Sequence, residues 1–510
     1  MADDLPHESR AAFSPHRWLI AFLLIGIFLR MLRYAIHMPV WGDEAFVGLN
    51  VINRGFADLL KPLEYAQVAP PGFLFAERAM YDWAGMGEYS MRLLPMLAGL
   101  GSLLLFAYWV RLLAAPAAAA VAVGILAVGN YPVRYAVELK PYGFDLFASL
   151  ILVVPATLYF LRKTPRWLIV TILLLPVSLT MSFPAIFVAG GIGLALLCEF
   201  RAASRKIRIL TGVYALIAAI CFLILFKINT ASQLQATGPA MTSYWADAFP
   251  PKHPFQLLVW LIEIHTGNMF AYPCGAKNGG SIVSFIAFVV GLTIIFRGRG
   301  IWLPCVLLGP FALNFLAAMM HRYPYGESAR VAQHLAPASV LLIGVGAVGL
   351  IDHFSPDSQK RTKAMRTVCW LLVGLGGYIM FYYIFHPYQT RPDADARNLV
   401  RSFWEQAPPG APVAVLEPRA EVQVNFQWYL RAGQDGHPMI WDAQDDNSWH
   451  DQPGPLLVVT TRRLANLETE LAIDLDRPPV RHISEDVHLG PKQLPPDHFE
   501  AFEFSAATSR

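Results

Sequence analysis

Charge is what this chain has least of. Asp, Glu, Lys and Arg make up 15% of its 510 residues, against about 25% in an average soluble domain. Hydrophobic residues make up 55% and the mean hydropathy is +0.42. A soluble globular protein of this length is excluded, and a polytopic membrane protein is implied. Cysteine is scarce too. Of the five, Cys198, Cys221, Cys305 and Cys369 lie in or at the ends of apolar runs and Cys274 alone lies in a polar loop, so no disulfide framework can be proposed. An excess of one sign is missing: the net charge is +3 and the cations are scattered among short loops, which leaves no nucleic-acid footprint. Internal repeats and long low-complexity tracts are absent as well. The first apolar run, from Trp18, is not followed by a small-residue cleavage site and reads as a retained span.

What is there is a succession of apolar runs able to cross roughly 30 Å of hydrocarbon. They lie near 18–38, 93–112, 116–132, 142–161, 167–181, 183–199, 209–228, 281–296, 301–320, 335–351 and 367–385, about eleven spans. The pair at 167–199 reads as short helices broken at Ser182-Phe183-Pro184, tolerable where neighbours cover the freed backbone. With the N-terminus inside, the inner connections collect most Lys and Arg, including Arg162, Lys163, Arg201, Arg205, Lys206, Arg297, Lys360 and Arg361. By the positive-inside rule, Trp41–Arg92, Tyr131–Tyr142, Asn229–Gly280, His321–His334 and the chain from His386 then face outward. The expected organisation is an all-α transmembrane domain over 1–385, including a first outer loop at 39–92, and a small extracytoplasmic α/β domain over 386–510. Within that domain ADARNLVRSFWEQ, EVQVNFQWYLR and RRLANLETELA are helix-like, APVAVLE and PLLVVTT are strand-like, and the last twenty or so residues read as a loosely attached tail. In the first outer loop Ala45–Leu60 and Gly72–Trp83 read as amphipathic interfacial helices, with Phe46, Phe56, Tyr81 and Trp83 as anchors.

Three outer loops carry candidate chemistry. In the first, WGDEAF places Asp43 and Glu44 just beyond the first span, an expensive position for paired charge. Two readings stand side by side: a general base with an orienting or metal-binding partner, or Asp43 as N-cap of the helix from Ala45. In the second, YPVRYAVELKPYGFD sets Glu138 among Arg134, Lys140 and Tyr142. Here the alternatives are a carboxylate for sugar hydroxyls beside cations for a phosphate, or a mutual surface ion pair. In the third, HRYPYGESARVAQHLAP offers Arg322, Arg330, Tyr323 and Tyr325, with Arg330 either a phosphate clamp or a snorkelling side chain. Arg30, Arg33 and Arg92, at span ends, pose the same choice. The outer histidines form no metal-ligand spacing. Gly344, Gly346 and Gly349 read as close helix packing rather than a nucleotide loop.

Taken together these features resemble a known family. A first span ending in Arg, then W-x-DEA (Trp41–Ala45), P-P-G-F (Pro70–Phe73), Arg92 opening the second span and E-x-K-P-Y (Glu138–Tyr142) before the fourth are similar to the GT-C membrane glycosyltransferases. The likeness is to the branch containing protein O-mannosyltransferases and aminoarabinose transferases of lipid A. It covers about the first 200 residues and, less fully, the loop at 321–334. The resemblance implies inverting sugar transfer on the outer face, from a polyprenyl-phosphate donor to a hydroxyl on a glycan, lipid or protein, while high Ala, Arg and Pro usage and compact loops favour a cell inner membrane. Asp43 takes the place of the catalytic acid, Glu44 its neighbour, and Glu138 that of a second acid where relatives often carry Asp. Arg330 falls at a late basic position near the donor phosphate, with Lys140, Arg134, Arg92, Tyr142 and Tyr325 as further donor-binding candidates. A phosphate monoester leaves with less help than a nucleotide diphosphate, so no metal cofactor is required, although a divalent ion is compatible. The rival class is a lipid or polysaccharide transporter or assembly protein without transferase activity; it would place its charges near the bilayer midplane, whereas here they crowd the outer rim.

Overall fold

The computed structural model describes residues 13–275, 279–297 and 300–406, and beyond these 412–416, 428–429, 440–442, 455–460, 468, 471–472, 475–476, 478–487 and 497–505. The chain starts with α1 (Pro15–Ala35), followed by two shorter polar-loop helices, α2 (Gly42–Asn53) and α3 (Pro71–Ala84). Apolar helices follow as α4 (Ser90–Leu113) and α5 (Pro116–Ala127), then a single turn and a half, α6 (Asn130–Tyr135), before α7 (Tyr142–Arg162). Next come α8 (Pro165–Met181), α9 (Ala185–Glu199), α10 (Arg205–Leu225), α11 (Ala231–Tyr244) and α12 (Pro254–Thr266). The helical part closes with α13 (Ile282–Ile295), α14 (Trp302–Met319), α15 (Ala336–Phe354), α16 (Ser358–Phe385) and α17 (Arg391–Gln406). Among the described residues eight helical segments are long and apolar enough to cross a membrane, and α5, α8 and α13 are shorter apolar helices. Together these correspond one to one with the eleven runs read from the sequence.

Two of those runs differ in detail. The run at 116–132 is helical only to Ala127, about 18 Å of rise. It survives because α5 is apolar on every side, with Ala118 through Ala127 all buried, and packs on α1 and α15. The seventh run does not end near Ile228. A π-helical turn at Phe226–Thr230 carries α10 into α11, so helix continues from Arg205 to Tyr244 and takes up the first part of the expected outer loop.

The chain divides into two compact units. The first holds the chain up to Ala35, Phe56–Glu77 and Arg92–Phe385. Its close packing depends on small residues where backbones meet: a Cβ on Gly346 would collide with Ala287 and one on Gly291 with Leu342, which is why α13 and α15 lie face to face. Arg30, fully buried, closes the end of α5 by donating to the carbonyls of Leu126 and Ala127, both at 3.3 Å. It therefore serves as a helix cap.

The second unit holds Ile36–Gly55, Arg78–Met91 and the chain from His386. Its sheet has the order β2-β1-β3-β5-β4, built from β1 (Val413–Leu416), β2 (Ile440–Asp442), β3 (Leu456–Thr460), β4 (Pro479–Val487) and β5 (Asp497–Phe504). β1 runs parallel to β2 and β3, and β5 is antiparallel to both β3 and β4. Ala414, Leu456, Val458, Phe502 and Phe504 form its core. The expected loose tail is thus corrected: residues 497–504 are an interior strand. Alternating apolar residues, Phe502 and Phe504 against Glu503, give it one face to bury. The helix-like stretches at 421–431 and 462–472 lie largely outside the described residues. In the same unit Arg78 closes the end of α2, donating from Nη1 to the carbonyls of Val51, Ile52 and Arg54 at 2.8–3.2 Å.

Candidate active site

Asp43 and Glu44 sit in the first turn of α2, whose N-cap is Trp41. Helix therefore begins two residues earlier than the capping alternative required. The capping role falls to Glu44, which is fully buried and accepts from the Trp41 backbone N–H at 3.4 Å, one half of a capping box. Asp43, one position earlier on the turn, is half-buried.

In the first unit the loop between α5 and α7, expected to face outward, converges on Glu138. Its Oε1 accepts from Arg134 Nε at 2.6 Å and from Arg33 Nη2 at 3.4 Å. Glu138 is 1% exposed, and its other oxygen, Oε2, is buried with no hydrogen-bond partner. A buried carboxylate oxygen without a donor is costly. Arg33 lies over the Tyr383 ring at 4.7 Å. Burial works against the charge on Arg134, but Glu138 together with Tyr135 and Tyr383 outweighs it and raises the guanidinium above its ordinary value. Lys140 is buried and donates from Nζ to Gln67 Oε1 at 2.7 Å. Tyr142 opens α7 with its ring against Tyr135 at 5.2 Å. Arg92, in the first turns of α4, is 5% exposed.

A cleft of about 350 Å³ adjoins this loop. Arg330 lines it together with Tyr244, Trp245, Asp247, Asn268, Glu327 and Ser328. The Arg330 guanidinium donates to the Tyr244 hydroxyl at 2.6 Å and lies 4.7 Å over the Trp245 ring. Asn268 ties the cleft to the segment that carries Glu138, donating to the Glu327 carbonyl at 2.9 Å and accepting from Tyr131 at 3.5 Å. Electrostatics make the same link: burial pushes the Tyr135 phenol up, and Arg134 and Arg330 both pull it down. Arg33, Arg134, Glu138 and Arg330 thus share one polar neighbourhood. Tyr325 stands apart. It is packed against Phe315 and Trp260, with its hydroxyl 3.1 Å from His265 Nε2, and belongs to an aromatic core.

Sequence reasoning raised Arg33 without a partner, and it did not single out Gln67, Tyr244, Trp245 or Glu77. Glu77 is fully buried on the apolar face of α3 with Phe73 and Leu74, and neither carboxyl oxygen has a hydrogen-bond partner. Burial holds its pKa well above the ordinary carboxylate range. A signal existed, since Glu77 falls four residues after Phe73 on that face. Among the described residues no three His, Cys, Asp or Glu side chains are grouped as metal ligands.

No family model and no curated protein sequence matches the chain. Its structure, by contrast, is similar to solved ones. ArnT from Cupriavidus metallidurans bound to undecaprenyl phosphate superposes with a TM-score of 0.59 at 13% identity, over 98% of this chain and 100% of that one. The oligosaccharyltransferase of Archaeoglobus fulgidus in the apo form gives 0.52 at 12% identity, covering 93% of this chain and 70% of that chain. The archaeal oligosaccharyltransferase AglB, also from Archaeoglobus fulgidus, in complex with an inhibitory peptide and a dolichol-phosphate gives 0.50 at 10% identity with the same coverage. At such identities it is the course of the backbone that is shared: the chain has the ArnT-like GT-C fold.

Proposed function

We propose that the protein is a multi-pass glycosyltransferase of the cell inner membrane. It transfers a sugar from a polyprenyl-phosphate donor to a hydroxyl on a glycan, lipid or protein at the outer face, where residues 386–510 also lie. The observation that carries this reading is Glu138, held through one oxygen by Arg33 and Arg134 while the other stays buried and unbonded. Such a carboxylate is oriented before substrate arrives and accepts one hydroxyl of a bound sugar. Fold similarity to proteins solved with undecaprenyl phosphate and dolichol-phosphate supports a lipid-linked donor.

In the proposed step the acceptor hydroxyl attacks the anomeric carbon from the side opposite the phosphate. Its proton passes to the Asp43 carboxylate as the new C–O bond forms. The bond from the anomeric carbon to the phosphate oxygen breaks, its electron pair leaves with the polyprenyl phosphate, and configuration inverts. Positive charge building on the sugar ring is favoured by carboxylates, and charge on the departing phosphate by cations. Arg330 and Lys140, with Arg134 and Arg92 behind them, are assigned to that phosphate, and Tyr142 to the sugar. Glu44 supports Asp43 through the helix cap. The mechanism calls for no cofactor.

The test is transfer by purified protein in lipid nanodiscs given a radiolabelled polyprenyl-phosphate sugar and an extract of envelope lipids and glycans. Inverted product from the native chain and none from Asp43→Asn is expected. Undiminished transfer by Asp43→Asn would remove Asp43 as the base, and no donor consumption by the native chain would remove the transferase reading itself.

A further inference from the structure

The second unit contains a buried polar knot that the proposed chemistry does not use. At its centre is Glu88, 7% exposed, at the end of the first outer loop. Its Oε2 lies 2.6 Å from His37 Nε2 and 3.2 Å from Arg401 Nη2. Its Oε1 accepts from the Tyr429 hydroxyl at 2.7 Å and lies 3.5 Å from Arg397 Nη1. Three of these four partners come from the C-terminal part of the chain.

Those C-terminal partners also grip the backbone that leads into α2. Arg397 Nη1 donates to the His37 carbonyl at 2.6 Å, and the Val40 N–H donates to the Tyr429 hydroxyl at 2.6 Å. Tyr89, next to Glu88, stacks flat on the His37 imidazole at 4.1 Å. His37 itself has φ 58°, a left-handed conformation that a non-glycine residue keeps only where its surroundings enforce it. Asp43 follows three residues after Val40. A general base contributes only when its carboxylate is held within a few tenths of an ångström of a productive position, and the half-turn before it is fixed through Glu88.

We infer that Glu88 is a positioning residue for Asp43, and that through it α17 and Tyr429 set the placement of the catalytic turn. The inference rests on Asp43 being the base. A buried carboxylate shared by two guanidiniums, an imidazole and a phenol keeps all four in place, and removing it releases the His37–Val40 strap at both ends.

The experiment compares the full-length native chain with Glu88→Gln and with Tyr429→Phe, which removes a single hydroxyl and preserves packing. Amide hydrogen exchange over 37–43, kcat and donor KM are measured in nanodiscs, with Asp43→Asn alongside. Both variants are expected to exchange faster at Val40 and to lose about tenfold or more in kcat with donor KM within about twofold. Glu88→Asp should recover part of the loss. Unchanged exchange in both variants overturns the anchoring, and faster exchange with native kcat overturns its link to catalysis. If Asp43→Asn also transfers normally, the fault lies with the base assignment, which the exchange data distinguish from a failure of the strap.

Discussion

Arg33 and Glu138, 105 residues apart in the chain, meet at 3.4 Å with 5% and 1% of their side chains exposed. One comes from the last turn of α1, the other from the bend before α7. A charge pair this dry is retained only where the remaining lone pairs are satisfied, and Arg134 satisfies just one oxygen.

Glu138→Ala should therefore destabilise the protein by about 3–5 kcal/mol, since Arg33 is left buried without its counter-charge. Thermal unfolding in nanodiscs checks this. Glu138→Gln keeps the volume and removes the charge, and it should lower transfer by roughly 10²–10³-fold with a smaller stability loss. The double variant Arg33→Met, Glu138→Leu should recover stability without recovering transfer. Recovery of both would assign the pair to folding alone.

Adjacent in sequence, Asp43 and Glu44 should part company in the laboratory. Glu44→Ala removes the carboxylate that caps Trp41 N–H and should cost about 0.5–2 kcal/mol, leaving transfer reduced only as far as the helix start frays. Asp43→Asn keeps the side-chain volume and should lower kcat by about 10²–10⁴-fold, far more than any loss in stability accounts for. A calorimetric scan and an initial-rate assay on the same preparations distinguish the two profiles.

The eleven apolar runs were legible in the sequence because hydrophobic length is a one-dimensional quantity, and the GT-C fold was legible only through a resemblance carried by W-x-DEA, P-P-G-F and E-x-K-P-Y. α5 shows the limit: its twelve residues are stable as helix through burial on all sides, which no run length reports. Glu138 and Arg134 could be paired from their i, i+4 spacing. Arg33 could not be added, because its contact spans 105 residues. Likewise Arg30 and Arg33 look alike in sequence, three positions apart on one helix. One caps the end of α5 and the other meets Glu138, a difference decided by what packs beside each. The interior strand at 497–504 was missed because its polar residues, Asp497, His498, Glu500 and Glu503, mask the alternation that buries Phe502 and Phe504.

Arg330 shares its cleft with Asp247 and Glu327, carboxylates that work against an anionic ligand. If Arg330 holds the donor phosphate, Asp247→Asn should tighten donor binding, lowering KM about two- to fivefold for an exposed charge. Arg330→Lys keeps the charge but gives up the fork and the stacking on Trp245, and it should raise donor KM about tenfold. Steady-state kinetics over a donor titration read both. If Asp247→Asn raises KM instead, the cleft takes sugar hydroxyls rather than phosphate.

Glu77 supplies a pH test. Its carboxyl, buried on the apolar face of α3, has a folded pKa well above the ordinary 4.5 because burial disfavours the anion. The native protein thus keeps a proton that the unfolded chain has already released. A raised folded pKa means that this contribution to stability is complete below the unfolded value and is lost as pH rises toward the folded one. Across that window native stability should fall, relative to Glu77→Gln, by up to about 1.4 kcal/mol per pH unit. Unfolding temperatures of the two proteins, compared in steps between about pH 5 and 8, should diverge with the native chain losing ground at the alkaline end. The neutral amide cannot ionise, so its curve lacks this component. Parallel curves for the two proteins would mean that Glu77 finds a counter-charge or water in the native state and is not held as a buried acid.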